Sequence, residues 1–163
     1  MLLIIFRPYR VGDYVEGGGV AGTVEEVQIF TTILNTPDNR RVIVPNGQVI
    51  GGTITNYSTH TTRRVDLTAS VSYDDDPDRV RQVLQGIVDT DERILKDPAP
   101  NIRMHAHGDS SVAWIVRPWV KTADYWAVYW DLTEKIKRRF DEEGITIPYP
   151  QRDVHVYSHD TKA

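Results

Sequence analysis

The chain has 163 residues, no cysteine, 40% hydrophobic and 26% charged residues, and a formal net charge of -4. These totals describe an ordinary globular protein with room for one domain or two small ones. They exclude disulfide and thiolate chemistry and supply no broad basic surface for nucleic acid.

The opening run MLLIIF (1–6) is far shorter than the roughly 20 apolar residues a membrane-spanning helix needs. It also lacks the basic start and cleavage site of a signal peptide. By composition it reads as a buried first strand or a terminus, with the stub of a membrane helix as the alternative. Pro8, inside Arg7-Pro8-Tyr9-Arg10, discourages any helix from continuing. Arg7 and Arg10 read as solvated surface by default; beside an anionic membrane each would gain about 1 kcal/mol.

Between Val11 and Tyr57, short alternating runs at 14–16, 20–28, 30–34, 41–44 and 53–57 are cut by turn residues at 17–19, 36–39 and 45–47. So many short strands in so short a stretch predict a small, strongly bent barrel, with Gly22 as a bend point. Phe30 reads as a core side chain. Pro45-Asn46-Gly47 reads as a sharp corner between two strands, because Pro45 lacks a donor and Gly47 tolerates positive φ. The polar stretch 58–62 marks a boundary, giving segments 1–10, 11–60, 61–149 and 150–163.

Beyond it, Val65, Leu67, Ala69, Val71 and Tyr73 alternate with polar neighbours, which predicts a half-buried strand from Arg64 to Tyr73. Val80, Val83, Leu84, Ile87 and Val88 follow at helical spacing, with Asp76 as N-cap and Pro77 in the first turn. The DDDPD run (74–78) lacks the glycine and glutamate of a calcium loop. Residues 102–106 and 112–120 read as strands. A second helix begins at Thr122 or Asp124, runs to Glu143 and stops at Gly144. Its aromatic residues, Tyr125, Trp126, Tyr129, Trp130 and Phe140, cover a wider arc than one core face requires, so part of the arc meets another surface. The order βαββα is that of a ferredoxin-like unit, and Asp153 to Tyr157 forms a last short strand.

No motif for catalysis or cofactor binding emerges. GGGVAG has glycines but no following helix to receive a phosphate, and there is no P-loop or zincin signature. His105 and His107 would share a strand face as two metal ligands, but no third ligand is indicated nearby. The chain is therefore read as a non-enzyme without cofactors or metals.

Four stretches, FRPYRVGDYVE (6–16), GGVAGTVEEVQIFTT (18–32), RRVIVPNGQVIGGTITNYS (40–58) and PYPQRDV (148–154), resemble, in order, the soluble part of the small-conductance mechanosensitive channels. The resemblance runs from about Phe6 to Tyr157. It implies an α+β chain: the end of a pore-lining helix at 1–10, an Sm-like β barrel beneath the pore, a ferredoxin-like α/β domain, and a C-terminal strand. That strand (Asp153, Val154, His155, Val156, Tyr157) would join copies from other subunits in a shared barrel. Arg7, Arg10, Phe30, Asn46 and Gly47 would face the membrane or the pore helix. Alternation would turn Val154 and Val156 toward the barrel lumen, since inward carboxylates would repel one another.

The implied assembly is a homoheptamer in a prokaryotic inner membrane, with this soluble region on the cytoplasmic side. It would open under tension to release ions and small solutes during osmotic downshock. The partners would be its own copies, lipid head groups and the permeating solutes, with no nucleic acid. The competing reading is a soluble oligomeric binding module, for example for RNA; the acidic balance and the missing RNP aromatics weigh against it.

Overall fold

A computed structural model of the chain describes residues 7–157. Of the expected helix end and connection at 1–10, residues 1–6 lie outside them. The chain divides between Thr62 and Arg63 into two compact units.

The first unit is a sheet of five strands: β1 (Tyr14–Gly17), β2 (Val20–Val27), β3 (Thr31–Asn35), β4 (Arg41–Pro45) and β5 (Thr55–Asn56). The order is β4-β3-β2-β1-β5, antiparallel throughout. No ladder joins β4 to β5, so the expected barrel does not close among the described residues. The reason is local. After β4 the chain enters a helix, α1 (Asn46–Ile50), and only two residues of the expected last strand pair with β1.

The Pro45-Asn46-Gly47 corner is thus a helix start, and Gly47 is helical rather than left-handed. The irregularity of β2 falls between Val24 and Glu26. A Cβ on Gly22 would stand 2.7 Å from the Asn35 carbonyl oxygen, so glycine is needed there for close strand approach. Tyr9, Val15, Val24, Leu34, Val44 and Val49 form the core.

The second unit follows, with β6 (Thr62–Arg64) starting one residue before the division, then β7 (Leu67–Val71), α2 (Pro77–Asp89), β8 (Asn101–His107), β9 (Val112–Arg117), β10 (Trp119–Lys121), a 3-10 turn (Thr122–Asp124) and α3 (Tyr125–Glu143). The main sheet is β7-β9-β8, with both outer strands antiparallel to β9. Two expected strands are each broken once. Pro118 has no N–H to continue a ladder past β9, and its carbonyl instead accepts from Val65 N at 2.9 Å, where β6 gives way to β7.

α2 forms as its spacing predicts. Asp76 accepts from Asp78 N at 3.0 Å, Pro77 sits in the first turn, and the five predicted apolar positions are buried. α3 buries Val128, Leu132, Ile136 and Phe140, one per turn, and ends at Gly144 in the left-handed region at φ 70°. These faces close on a core that includes the fully buried Trp114.

Residues 153–157, the segment expected to pair with strands of other copies, carry no strand pairing within the chain and are all exposed. Pro148 and Pro150 remove two ladder donors just before them. On β8, a register shift between Met104 and Ala106 breaks the alternation that a shared His105 and His107 face would need. No metal-binding cluster occurs among the described residues.

Candidate functional site

Asn46 follows directly on β4 and is the hub of the first unit's polar interior. Its backbone N–H donates to the Phe30 carbonyl at 2.8 Å. Its side-chain Nδ2 donates to the carbonyls of Gln28 (2.9 Å) and Ile29 (3.0 Å). Its Oδ1 accepts from Thr32 Oγ1 at 2.9 Å. Because that commits the only hydrogen of the Thr32 hydroxyl, the 2.9 Å contact between Tyr9 and Thr32 has the phenol as donor. Burial pushes the Tyr9 phenol up from its ordinary pKa.

The result is a directed row from Tyr9 through Thr32 and Asn46 to the carbonyls of the loop between β2 and β3. Tyr9, Thr32 and Asn46 are all buried. Buried amide and hydroxyl groups are tolerated only when paired, and here the side-chain donors are used. The loop closes on itself through Gln28 N to Thr31 O at 2.8 Å. Held in this way, it exposes Ile29 at 61% and Phe30 at 80%, which is surface rather than the predicted core. Ile43 and Ile50 of the same unit are also exposed. Nothing in this constellation is a nucleophile or an acid–base pair; what it can do is hold an apolar loop in a set position.

The structure brings Asn46 and Phe30 together through this clamp. Gly47 is open, with nothing within 4 Å of a Cβ built there. Arg7 and Arg10 are exposed. The connection around them is pinned by Asp13, whose Oδ2 accepts from Arg10 N at 2.9 Å and from Asn56 Nδ2 at 2.8 Å. At the other end of the chain, Asp153, Val154, His155, Val156 and Tyr157 are exposed, and Gln151 N donates to Ser110 Oγ at 3.0 Å just before them.

Sequence reasoning missed Tyr9 and Thr32. Each sits in one of the four family-like stretches, yet neither residue type advertises a buried hydrogen bond to a partner 23 or 14 positions away. In the second unit it missed Asp91, a buried carboxylate held by Arg93 at 2.7 Å and Lys135 at 3.3 Å. The Arg93 guanidinium beside it keeps that carboxyl well below the usual carboxylate range. The predicted aromatic arc of α3 is present: Trp126 and Trp130 stack at 5.5 Å, 53% and 62% exposed.

Among the described residues no helix is long and apolar enough to cross a membrane. Two family profiles match the chain, "Mechanosensitive ion channel, beta-domain" over residues 1–59 and "Mechanosensitive ion channel MscS, C-terminal" over 65–147. A small-conductance mechanosensitive channel of Edwardsiella ictaluri is 50% identical over 157 residues, covering 96% of this chain and 55% of that protein. An MscS family protein of Synechocystis is 46% identical, covering 99% of this chain and 55% of its own length. The chain thus spans just over half the length of these relatives. The crystal structure of Helicobacter pylori MscS in its closed state superposes with a TM-score of 0.91 at 31% identity, covering 97% of this chain and 63% of that one. Arabidopsis thaliana MSL1 shares the fold, with a TM-score of 0.74 at 17% identity. On these matches, which between them account for both units, the chain belongs to the mechanosensitive ion channel MscS family.

Proposed function

We propose that this chain is the vestibule-forming region of a channel that opens under membrane tension and releases ions and small solutes during osmotic downshock. The observation that carries the reading is the clamped loop: a family member presents Ile29 and Phe30 to its surroundings on a loop fixed by buried hydrogen bonds. An exposed apolar loop held this firmly suits contact with a pore helix. The mechanism is conformational rather than catalytic: tension shifts a closed-to-open equilibrium in membrane helices, and this region supports them.

In this reading the region lies on the cytoplasmic side of a cell membrane, and seven copies form a ring. Arg7 and Arg10 lie near lipid head groups, and Gly47 lies beside the pore helix. The first unit is an open sheet of Sm-like lineage, and the second is a ferredoxin-like unit. Residues 153–157, unpaired and exposed within one chain, find their ladder partners in neighbouring copies, with Val154 and Val156 toward the lumen.

The test is electrical. Membrane patches holding the full-length protein should carry currents that appear with suction and shift to a different threshold in Phe30→Ala; a full-length protein silent at lytic tension would end the proposal. Light scattering provides the assembly arm. Loss of residues 151–163 should weaken the ring and lower the number of copies in it, and an undiminished heptamer would remove the shared-barrel role.

A further inference from the structure

The Tyr9, Thr32 and Asn46 row is unusual company for Val15, Val24, Leu34, Val44 and Val49, which make up the rest of the first unit's interior. Phenylalanine at 9 and valine at 32 would fill the same space without polar atoms to satisfy. The row joins two features at its ends. Tyr9 lies in the connection that comes after the N-terminal apolar run, and Asn46 holds the Ile29 and Phe30 loop.

Hydrogen bonds transmit displacement differently from apolar contacts. They weaken steeply outside a narrow range of distance and angle, whereas methyl groups slide past one another. In a buried row water cannot replace a broken bond, so each break leaves an unpaired group at appreciable cost. A pull on Tyr9 therefore either carries Thr32 and Asn46 with it or snaps the row, which makes the arrangement two-state.

We propose that Thr32 is a positioning residue that couples the Tyr9 connection to the Phe30 loop. Its hydroxyl touches both ends of the row, accepting from Tyr9 and donating to Asn46. The coupling itself is a property of this unit. Its consequence for gating rests on the channel reading above, and the experiment has a separate arm for each.

The first arm measures amide hydrogen exchange in this chain at Asn46 and Gln28, whose N–H groups bond to the carbonyls of Phe30 and Thr31. The amides of Val24 and Tyr57, bonded to Asp13 and Tyr14, serve as internal controls. Thr32→Val should speed exchange at Asn46 and Gln28 about tenfold and Tyr9→Phe by a smaller factor, with the controls unchanged. Thr32→Ser, which keeps the hydroxyl, should match the parent chain. The double variant Tyr9→Phe with Thr32→Val should exchange no faster than Thr32→Val alone, because the path is already cut. The proposal is overturned if Thr32→Val leaves the two amides protected, if Thr32→Ser behaves like Thr32→Val, or if the two single effects multiply. Should Thr32→Val not fold, Tyr9→Phe against Thr32→Ser decides: unchanged exchange at Asn46 in Tyr9→Phe defeats the coupling.

The second arm records tension thresholds of the full-length protein. Tyr9→Phe and Thr32→Val should shift the threshold in the same direction, and Thr32→Ser should not. A silent parent protein would count against the channel reading alone. A tension-gated parent whose threshold ignores both variants would overturn the role of Thr32 in gating.

Discussion

Among the described residues, the core of the first unit has six buried apolar side chains, one of them the hydroxyl-bearing Tyr9, with Thr32 and Asn46 paired alongside; that of the second has twenty. With so small an interior, the smaller unit depends on specific hydrogen bonds to hold its loops. The larger unit has apolar area to spare and pairs its one buried carboxylate among the described residues, Asp91, with the partly exposed Arg93 and Lys135. The difference predicts where each unit breaks: at a lost methylene in the second, and at a lost polar atom in the first.

The sharpest break should come from Phe140→Ala. Phe140 is fully buried at the end of α3, and truncation should cost about 3–5 kcal/mol by chemical denaturation. A loss under about 1 kcal/mol would show that α3 is not anchored there. The counterpart in the first unit is Asn46→Ala, which orphans the Thr32 hydroxyl and the carbonyls of Gln28 and Ile29. It should cost about 2–4 kcal/mol although it removes hardly any apolar surface. A cost comparable to that of an exposed asparagine would erase the contrast between the units.

Acid should probe the buried Asp91 carboxylate of the second unit. The Asp91 carboxyl is depressed in the folded state, chiefly by its hydrogen bond to Arg93. Its contribution is therefore complete above the unfolded carboxylate value of about 3.9 and drains away as pH falls below that toward the lower folded value. Asp91→Asn should flatten that acid limb and cost about 1–3 kcal/mol at neutral pH. An acid limb unchanged in Asp91→Asn would assign the pH dependence to other carboxylates. The smallest effect should be favourable. Gly47→Ala places a Cβ in open space within α1 and should stabilise the first unit by about 0.5–1 kcal/mol in a melt. If it does so yet impairs gating in the full-length protein, Gly47 acts through a surface outside its own unit.

Local signals were legible where one side chain acts on its own backbone neighbourhood. Asp76 with Pro77 announced the start of α2, and Gly144 the end of α3. The apolar spacing of α2 named its buried face correctly, whereas in α3 the aromatic residues drew the eye and, of them, only Phe140 lies in the buried row. The site was less legible. Asn46 and Phe30 were singled out from a family resemblance, but Phe30 as a lone aromatic reads as core, and only the hydrogen bonds that hold its loop explain its exposure.

Periodicity, capping and turn residues, all of them local, let the sequence by itself determine two units of different character, the helices of the second and the short strands of the first; its motifs determined the family. Only the tertiary structure decided that the five-stranded sheet stays open, that the Pro45 corner starts a helix, that Pro118 divides a strand by lending its carbonyl to Val65, and that Tyr9 reaches Asn46 through Thr32. Each of these depends on which distant backbone group lies within hydrogen-bonding range, a condition set by how strands register in space and not by any spacing along the chain.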